Sequence, residues 1–240
     1  MIAYFLIPVF NEESNLASLL DNLHSAIPSY KKFYVFVDDG STDNSVSFLK
    51  QISSPDSSVI LGDGNNHGPG HAFNIGFEWI LKHSQNEQDK IITLESDNTS
   101  SLGILEKMMF ISSTGFDLVL ASVYAQGGGF DKTSVLRKFI SFCANMMFRL
   151  IFDIKVLTLS SFYRVYTVAL IKKLKDKYVT IIAEKGFIAM VEILLKAIRV
   201  NAAIIEVPMT LYSSKRKGKS KMKILKTSIQ YLRFIVNQKT

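Results

Sequence analysis

Apolar runs and polar breaks alternate along the first 120 or so residues with the rhythm of an α/β protein. Ile2–Val9 and Phe33–Val37 are unbroken apolar runs rich in β-branched and aromatic residues, the pattern of strands buried on both faces. Ser58–Leu61, Lys90–Leu94 and Asp117–Ala121 repeat that pattern in shorter form. Between them the apolar positions switch to helical spacing. Glu12–Ile27 carries Leu16, Leu19, Leu20 and Leu23, Ser45–Ile52 and Leu102–Ile111 follow suit, and a further helix runs through Ala72, Ile75, Trp79 and Ile80. This βαβα order predicts a mostly parallel central sheet flanked by helices, with right-handed crossovers.

The rhythm changes after residue 122. Gly127, Gly128 and Gly129 read as a flexible loop, and Val135–Phe152 as one long, strongly apolar helix. Helices over Thr167–Leu174 and Gly186–Ile198 and a strand over Ala203–Val207 follow. There is no internal repeat or low-complexity linker, so a single domain with an elaborated second half is expected.

Charge changes the picture at one end. The chain of 240 residues carries a net charge of +7, yet from Pro208 to Thr240 there are nine Lys or Arg and no acid, leaving the rest slightly acidic. Met222, Leu225, Ile229, Leu232 and Val236 recur there at helical spacing, with Lys223, Lys226 and Arg233 elsewhere on the helix. Such a segment suits a membrane interface, and suits equally a face packed on the domain or on a partner subunit. No aromatic-rich pattern accompanies the basic residues, so nucleic acid is not an expected partner. One cysteine, Cys143, excludes an internal disulfide framework and suits a reducing compartment. Met1 leads into a strand-like segment with no basic leader, and the longest uncharged apolar stretch, Phe139–Phe148, is about half a bilayer span. The chain reads as soluble or peripheral.

The strands end in chemistry. Asn11, Asp39, Gly40 and Ser41 break the first two and serve as turn and cap formers. Carboxylates at the carboxyl ends of neighbouring parallel strands line the crevice where open α/β sheets bind ligands. Glu95-Ser-Asp97 follows the strand at Lys90–Leu94, and alternate carboxylates there point to one side and can share a hard cation. The same string also suits a plain helix N-cap. Gly68-Pro-Gly70 opens a helix, where glycines let backbone N–H groups approach an anion.

Taken together, Ile7-Pro-Val-Phe-Asn-Glu12, Val37-Asp-Asp-Gly-Ser-Thr-Asp43, Gly68-Pro-Gly-His-Ala-Phe-Asn-Ile-Gly76 and Glu95-Ser-Asp97 resemble, in order and spacing, the family 2 glycosyltransferases of the GT-A fold. The second half is similar to the dolichol-phosphate mannose synthase, or polyprenyl-phosphate glycosyltransferase, group. Gly127-Gly-Gly129, the Arg137/Ser141/Asn145/Arg149 helix, Ser160-Ser161 with Arg164, Gly186-Phe187 with Glu192, Glu206-Val-Pro208 and Gly218-Lys-Ser-Lys221 carry that likeness. The resemblance implies a catalytic domain over residues 1–212, followed at 213–240 by a basic loop and an amphipathic helix. It implies that Pro8, Phe10, Glu12, Asp38 and Asp39 hold the base and ribose of a GDP- or UDP-linked sugar. By the same likeness Gly68 and Gly70 belong to the donor pocket, and Arg216 and Lys221 lie in a loop that closes over the diphosphate. Glu95 and Asp97 would form the motif for Mg2+ or Mn2+. Asp97, Arg137 and Ser141 would be catalytic, the last two meeting a polyprenyl phosphate.

Several positions depart from the group: Glu95 replaces the usual Asp, Val123 an Arg, Thr158 an Asp, Phe162 a Gly and Met190 a Gln. Most of these fall on the acceptor side, which keeps two alternatives in play: a family 2 transferase acting on a glycan hydroxyl, and a non-catalytic nucleotide-sugar-binding member. An acceptor phosphate is already anionic and needs cations rather than a general base. Arg137, Arg149 and Arg164 are candidates for that. The expected location is the cytoplasmic face of a membrane, held peripherally through the basic C-terminal segment; a homo-oligomer is compatible with the sequence.

Overall fold

The computed structural model of the chain describes residues 1–218 and 224–239. The order is β1 (Ile2–Val9), α1 (Glu13–Ser25), β2 (Lys31–Asp38), α2 (Ser45–Ile52), β3 (Ser58–Leu61), α3 (Pro69–His83), β4 (Lys90–Thr93), α4 (Leu105–Ser113) and β5 (Leu118–Ser122). Then come β6 (Gly129–Asp131), α5 (Val135–Phe152), β7 (Arg164–Thr167), α6 (Val168–Lys177), α7 (Ala189–Arg199), β8 (Ile204–Pro208), β9 (Thr210–Tyr212) and α8 (Ile224–Lys239).

Seven strands form one sheet in the order β3-β2-β1-β4-β7-β5-β8. All neighbours are parallel except those of β7, which runs antiparallel between β4 and β5 and sets Arg164 opposite both Thr93 and Leu120. Period-2 alternation divides the strand side chains between two cores. Tyr4, Leu6, Val35 and Val37 face α3, α6 and α7, with Phe148 of α5 and Phe234 and Ile235 of α8. Phe5, Ile7, Val9 and Phe36 face α1, α4 and Leu49 of α2. The predicted mostly parallel sheet between helical layers is present; the reversed strand was not foreseen.

Two small strands bear on the site. β6 pairs with β9 in a separate two-stranded sheet, Gly129 opposite Thr210 and Asp131 opposite Tyr212. The glycine run read as a loop thus ends in a strand. β6 leads into α5 and β9 into the basic loop, so this pairing brings two distant stretches of sequence to one place.

α5 and α8 lie side by side. The Phe148 ring is 5.3 Å from Tyr231 and 6.3 Å from Phe234. Among the described residues, no helix is long and apolar enough to cross a membrane.

Candidate active site

Pro8, Phe10 and Glu12 leave the sheet at the carboxyl end of β1, beside Asp38 and Asp39 at the end of β2; the Asp39 N–H donates to the Val9 carbonyl at 2.8 Å. Asn11 adopts φ +54°, a left-handed turn that asparagine tolerates. Its side-chain oxygen accepts from the Thr42 N–H at 2.7 Å and the Asp43 N–H at 3.3 Å, which ties the first turn to the second.

Asp38 caps its own turn by accepting from the N–H groups of Gly40 and Ser41. Asp39 braces the loop before α3: it accepts from the N–H of His67 at 2.8 Å and of Gly68 at 2.9 Å, and from the Asn66 amide at 3.1 Å. Burial pushes its carboxyl pKa up, against the pull of those N–H groups. The Gly68 N–H is therefore engaged, and the Gly70 N–H donates to the Lys185 carbonyl at 2.9 Å. The N–H groups of these two glycines are thus already paired within the protein. Their smallness serves close approach instead: a Cβ on Gly70 would collide with the Glu184 carbonyl, and one on Gly68 with that of Lys185.

β4 ends at Thr93, so Glu95 and Asp97 stand in a turn rather than on a strand, with Asn98 at φ +62°. Strand alternation therefore does not set the direction of these two carboxylates. Glu95 Oε2 accepts from the Ser100 hydroxyl at 2.6 Å. Burial, and then the charge of Asp97, hold its carboxyl above the ordinary range. Asp97 Oδ1 accepts from the Thr99 hydroxyl at 2.7 Å, and Oδ2 takes Arg216 Nε at 2.6 Å with Nη2 of the same guanidinium as a second contact.

Arg216 comes from the loop after β9. Further contacts hold that loop, among them the Ser214 hydroxyl donating to the Asp131 carboxylate. The Tyr212 N–H donates to the Thr99 carbonyl at 2.9 Å, the Ser213 and Thr133 hydroxyls are 2.7 Å apart, and Lys217 exchanges two 3.0 Å backbone bonds with the Asn15 side chain. Asn15 also donates to Glu12 at 2.6 Å. One polar chain therefore runs Glu12–Asn15–Lys217 and Arg216–Asp97 across the rim. Asn15 escaped the sequence reading; its signal was a buried polar residue on the apolar face of α1, three residues after Glu12. Lys221 lies outside the described residues.

Glu95 and Asp97 are the two carboxylates of this turn that could share a metal with substrate. Among the described residues no group of three or more His, Cys, Asp or Glu could hold an ion alone. Mg2+ and Mn2+ accept one or two carboxylates plus phosphate oxygens, and the Arg216 guanidinium shows that Asp97 accommodates a positive group at its Oδ2.

The residues expected to meet an acceptor centre on α5. Ser134 caps it by accepting from the Arg137 N–H at 3.4 Å. The Ser141 hydroxyl accepts from Tyr124 at 2.9 Å, and Asn145 donates to the Ser141 carbonyl while accepting from the Leu159 N–H at 2.9 Å. Arg137 and Ser141, one turn apart, line a crevice between α5 and α8 that is partly open to solvent. Ser160, Thr227, Ser228 and Tyr231 add hydroxyls; Ile140, Phe148 and Val191 add hydrocarbon, and no carboxylate lines it. Burial pushes the Tyr231 phenol up to about 12, so it is a neutral donor near Ser160.

Two of the three arginines expected here are elsewhere. Arg164 is completely buried, donating to the carbonyls of Leu159 at 2.6 Å, Ser161 at 2.8 Å and Met190 at 2.9 Å, and to the Tyr166 hydroxyl at 3.2 Å. It is the keystone of the loop after α5 and cannot touch an acceptor. Arg149 donates to the Ile154 carbonyl at the end of α5. Glu192 likewise supports its surroundings, accepting from the N–H groups of Ala183 and Glu184 and pairing with Lys196 at 2.7 Å. Thr158, in place of an Asp, shares a 2.7 Å hydrogen bond with Ser122.

The profile of Glycosyl transferase family 2 matches residues 4–175. Polyprenol monophosphomannose synthase of Mycolicibacterium smegmatis is 25% identical over 219 residues, 90% of this chain and 79% of that protein. Undecaprenyl-phosphate mannosyltransferase of Micrococcus luteus is 26% identical over 218 residues, 90% of this chain and 86% of that protein. Among solved structures, glucosyl-3-phosphoglycerate synthase of Mycobacterium tuberculosis, in complex with Mn2+, uridine-diphosphate and glucosyl-3-phosphoglycerate, matches with a TM-score of 0.66 at 15% identity, covering 98% of this chain and 77% of that one. That likeness identifies the fold as GT-A. The motif-bearing rim, the sheet that carries it and the family profile converge: this chain is a glycosyltransferase and belongs to glycosyl transferase family 2.

Proposed function

We propose that this chain moves a sugar from a nucleoside-diphosphate donor to a polyprenyl phosphate, with inversion at the anomeric carbon. The observation that carries the acceptor choice is the crevice between α5 and α8, which offers Arg137, hydroxyls and hydrocarbon but no carboxylate. A sugar hydroxyl would need a general base there; a phosphate brings its own negative charge and needs a cation and a greasy wall. The mycobacterial and micrococcal relatives, named for polyprenyl-phosphate mannose transfer, support the same reading.

On the donor side, Pro8 and Phe10 flank the base while Glu12 and Asp39, through the turns they hold, fix the ribose edge; Asp38 shapes the turn between. Asp97, with Glu95 behind it, would hold Mg2+ or Mn2+ against the donor diphosphate, where the ion supplies neutralising charge to the leaving group. Arg216 lies within reach of that same charge and turns from Asp97 to the diphosphate. Arg137 and Ser141 orient the acceptor phosphate so that its oxygen faces the anomeric carbon opposite the diphosphate. The phosphate oxygen forms the new C1–O bond as the C1–O bond to the diphosphate breaks, and no proton need be removed. Residues 1–212 carry this chemistry, Arg216 and Lys217 border the donor pocket, and α8 meets the membrane.

The decisive assay supplies radiolabelled GDP- and UDP-sugars with Mn2+ and offers undecaprenyl phosphate in detergent beside a soluble glycan. Label in an organic-extractable, acid-labile lipid with an inverted anomer is the expected result. Label on the glycan selects the hydroxyl-acceptor reading, and binding without transfer selects a non-catalytic member.

A further inference from the structure

Nine of the thirteen large apolar side chains exposed among the described residues lie on two helices. On α5, Val135, Leu136, Phe139, Phe142, Met146 and Leu150 are between 46% and 81% exposed; on α8, Ile229, Leu232 and Val236 are between 52% and 67% exposed. The other four (Met1, Ile52, Phe110 and Val179) are scattered singly, which is ordinary for a protein surface. A cluster is not ordinary.

α5 is apolar nearly all the way round. Its inner side buries Asn145 and Phe148, and its outer side carries the stripe. A helix hydrophobic on every face belongs in a core or against lipid. α8 shows which of two faces packs: Tyr231, Phe234 and Ile235 turn to α5 and the core, while the Ile229/Leu232/Val236 stripe looks outward. The stripe is thus not the packing face that the sequence left open.

We propose that the outer faces of α5 and α8 together form a surface that sinks into the headgroup layer of an anionic membrane leaflet, with α5 as the principal inserting element. Charge selects a bilayer over a second copy of the chain. α5 carries Arg137, Lys138 and Arg149 and no acid, and α8 carries only basic charges. Two such surfaces would repel each other, whereas anionic lipid attracts both. The crevice with Arg137 and Ser141 lies between these two helices, so a lipid phosphate reaches it without leaving the membrane. The choice of lipid as occupant rests on the acceptor reading above; the insertion itself requires no turnover.

The test is run without donor. The native protein is mixed with phosphatidylcholine vesicles with or without phosphatidylglycerol and followed by flotation. Cys143, exposed on α5 and the single cysteine of the chain, carries an environment-sensitive fluorophore. The expected result is flotation with the anionic vesicles, a blue shift at Cys143, and binding weakened about tenfold or more by Phe139→Asp with Leu150→Asp. Both side chains are exposed, so the melting temperature should hold; Ile229→Asn with Val236→Asn should weaken binding less. Failure to float, an unshifted probe, or undiminished binding of the α5 variant overturns the proposal. So does a dimer that Phe139→Asp dissolves, which would make the face a self-interface. Flotation without transfer refutes the acceptor reading alone, and transfer to a short water-soluble prenyl phosphate without flotation refutes insertion alone.

Discussion

At the donor rim Asp39, Asn15 and Asp97 each hold at least two hydrogen bonds, whereas α5 turns six large apolar side chains to solvent. The two halves solve different problems. On the proposed reading a nucleoside diphosphate arrives from water and is read by fixed polar geometry, which the turns of this rim hold in place. On the same reading a lipid phosphate arrives along a surface, and its site would be the apolar crevice with Arg137 and a few hydroxyls. The lesson concerns where specificity is written: in short strings of residue types on one side, in the chemistry of whole helix faces on the other.

This contrast can be broken at several points. The heaviest blow falls on the donor rim: Asp97→Ala should lower kcat/KM for sugar transfer by about 10²–10³-fold and abolish any thermal shift caused by Mn2+ with nucleotide. Next is the hidden support of the acceptor side. Arg164→Met leaves three buried carbonyls without a donor, and urea unfolding should show a loss of about 3 kcal/mol. A smaller loss, about 2 kcal/mol, is expected for Gly70→Ala, whose Cβ meets the Glu184 carbonyl and forces the two halves apart there. Arg216→Ala removes the guanidinium from Asp97, so Mn2+ alone should bind about fivefold more tightly by calorimetry even as transfer slows.

The slightest effect is a pH dependence at the seam. Burial, and then the charge of Glu192, push the Glu184 carboxyl pKa up. The folded chain therefore holds that proton more readily than the unfolded one, so ionised Glu184 costs stability above the ordinary carboxylate range and ceases to do so below it. Glu184→Gln should raise the urea midpoint at neutral pH, by a margin that vanishes as pH falls through that range.

What the sequence disclosed follows the same divide. β1, α2, β3 and α5 coincide with their expected bounds because long apolar runs and helical spacing are local signals. β6, β7 and β9 have three or four residues each and pair with strands far away in the sequence, so they leave little local pattern. The donor residues were visible as motif strings, but their tasks were not. That Asp39 braces a loop, or that Gly70 makes room for Glu184, depends on residues far along the chain. The expectation for Arg149 and Arg164 failed for a related reason: a positive charge in a sequence does not say whether it serves a ligand or the backbone.

The reversed strand carries one more consequence. Because β7 runs against its neighbours, β5 leaves the sheet and β7 re-joins it on the same rim, with Leu120 and Arg164 paired side by side. Residues 123–163, including β6 and α5, therefore leave and re-enter the sheet at two adjacent points, and β6 with β9 and Phe148 with the core tie them down between. Three of the departures from the group, at Val123, Thr158 and Phe162, sit inside this segment. Under the proposed function, exchanging this segment together with its partner β9 is a way to change the recipient while the turns at Asp39 and Asp97 stay as they are.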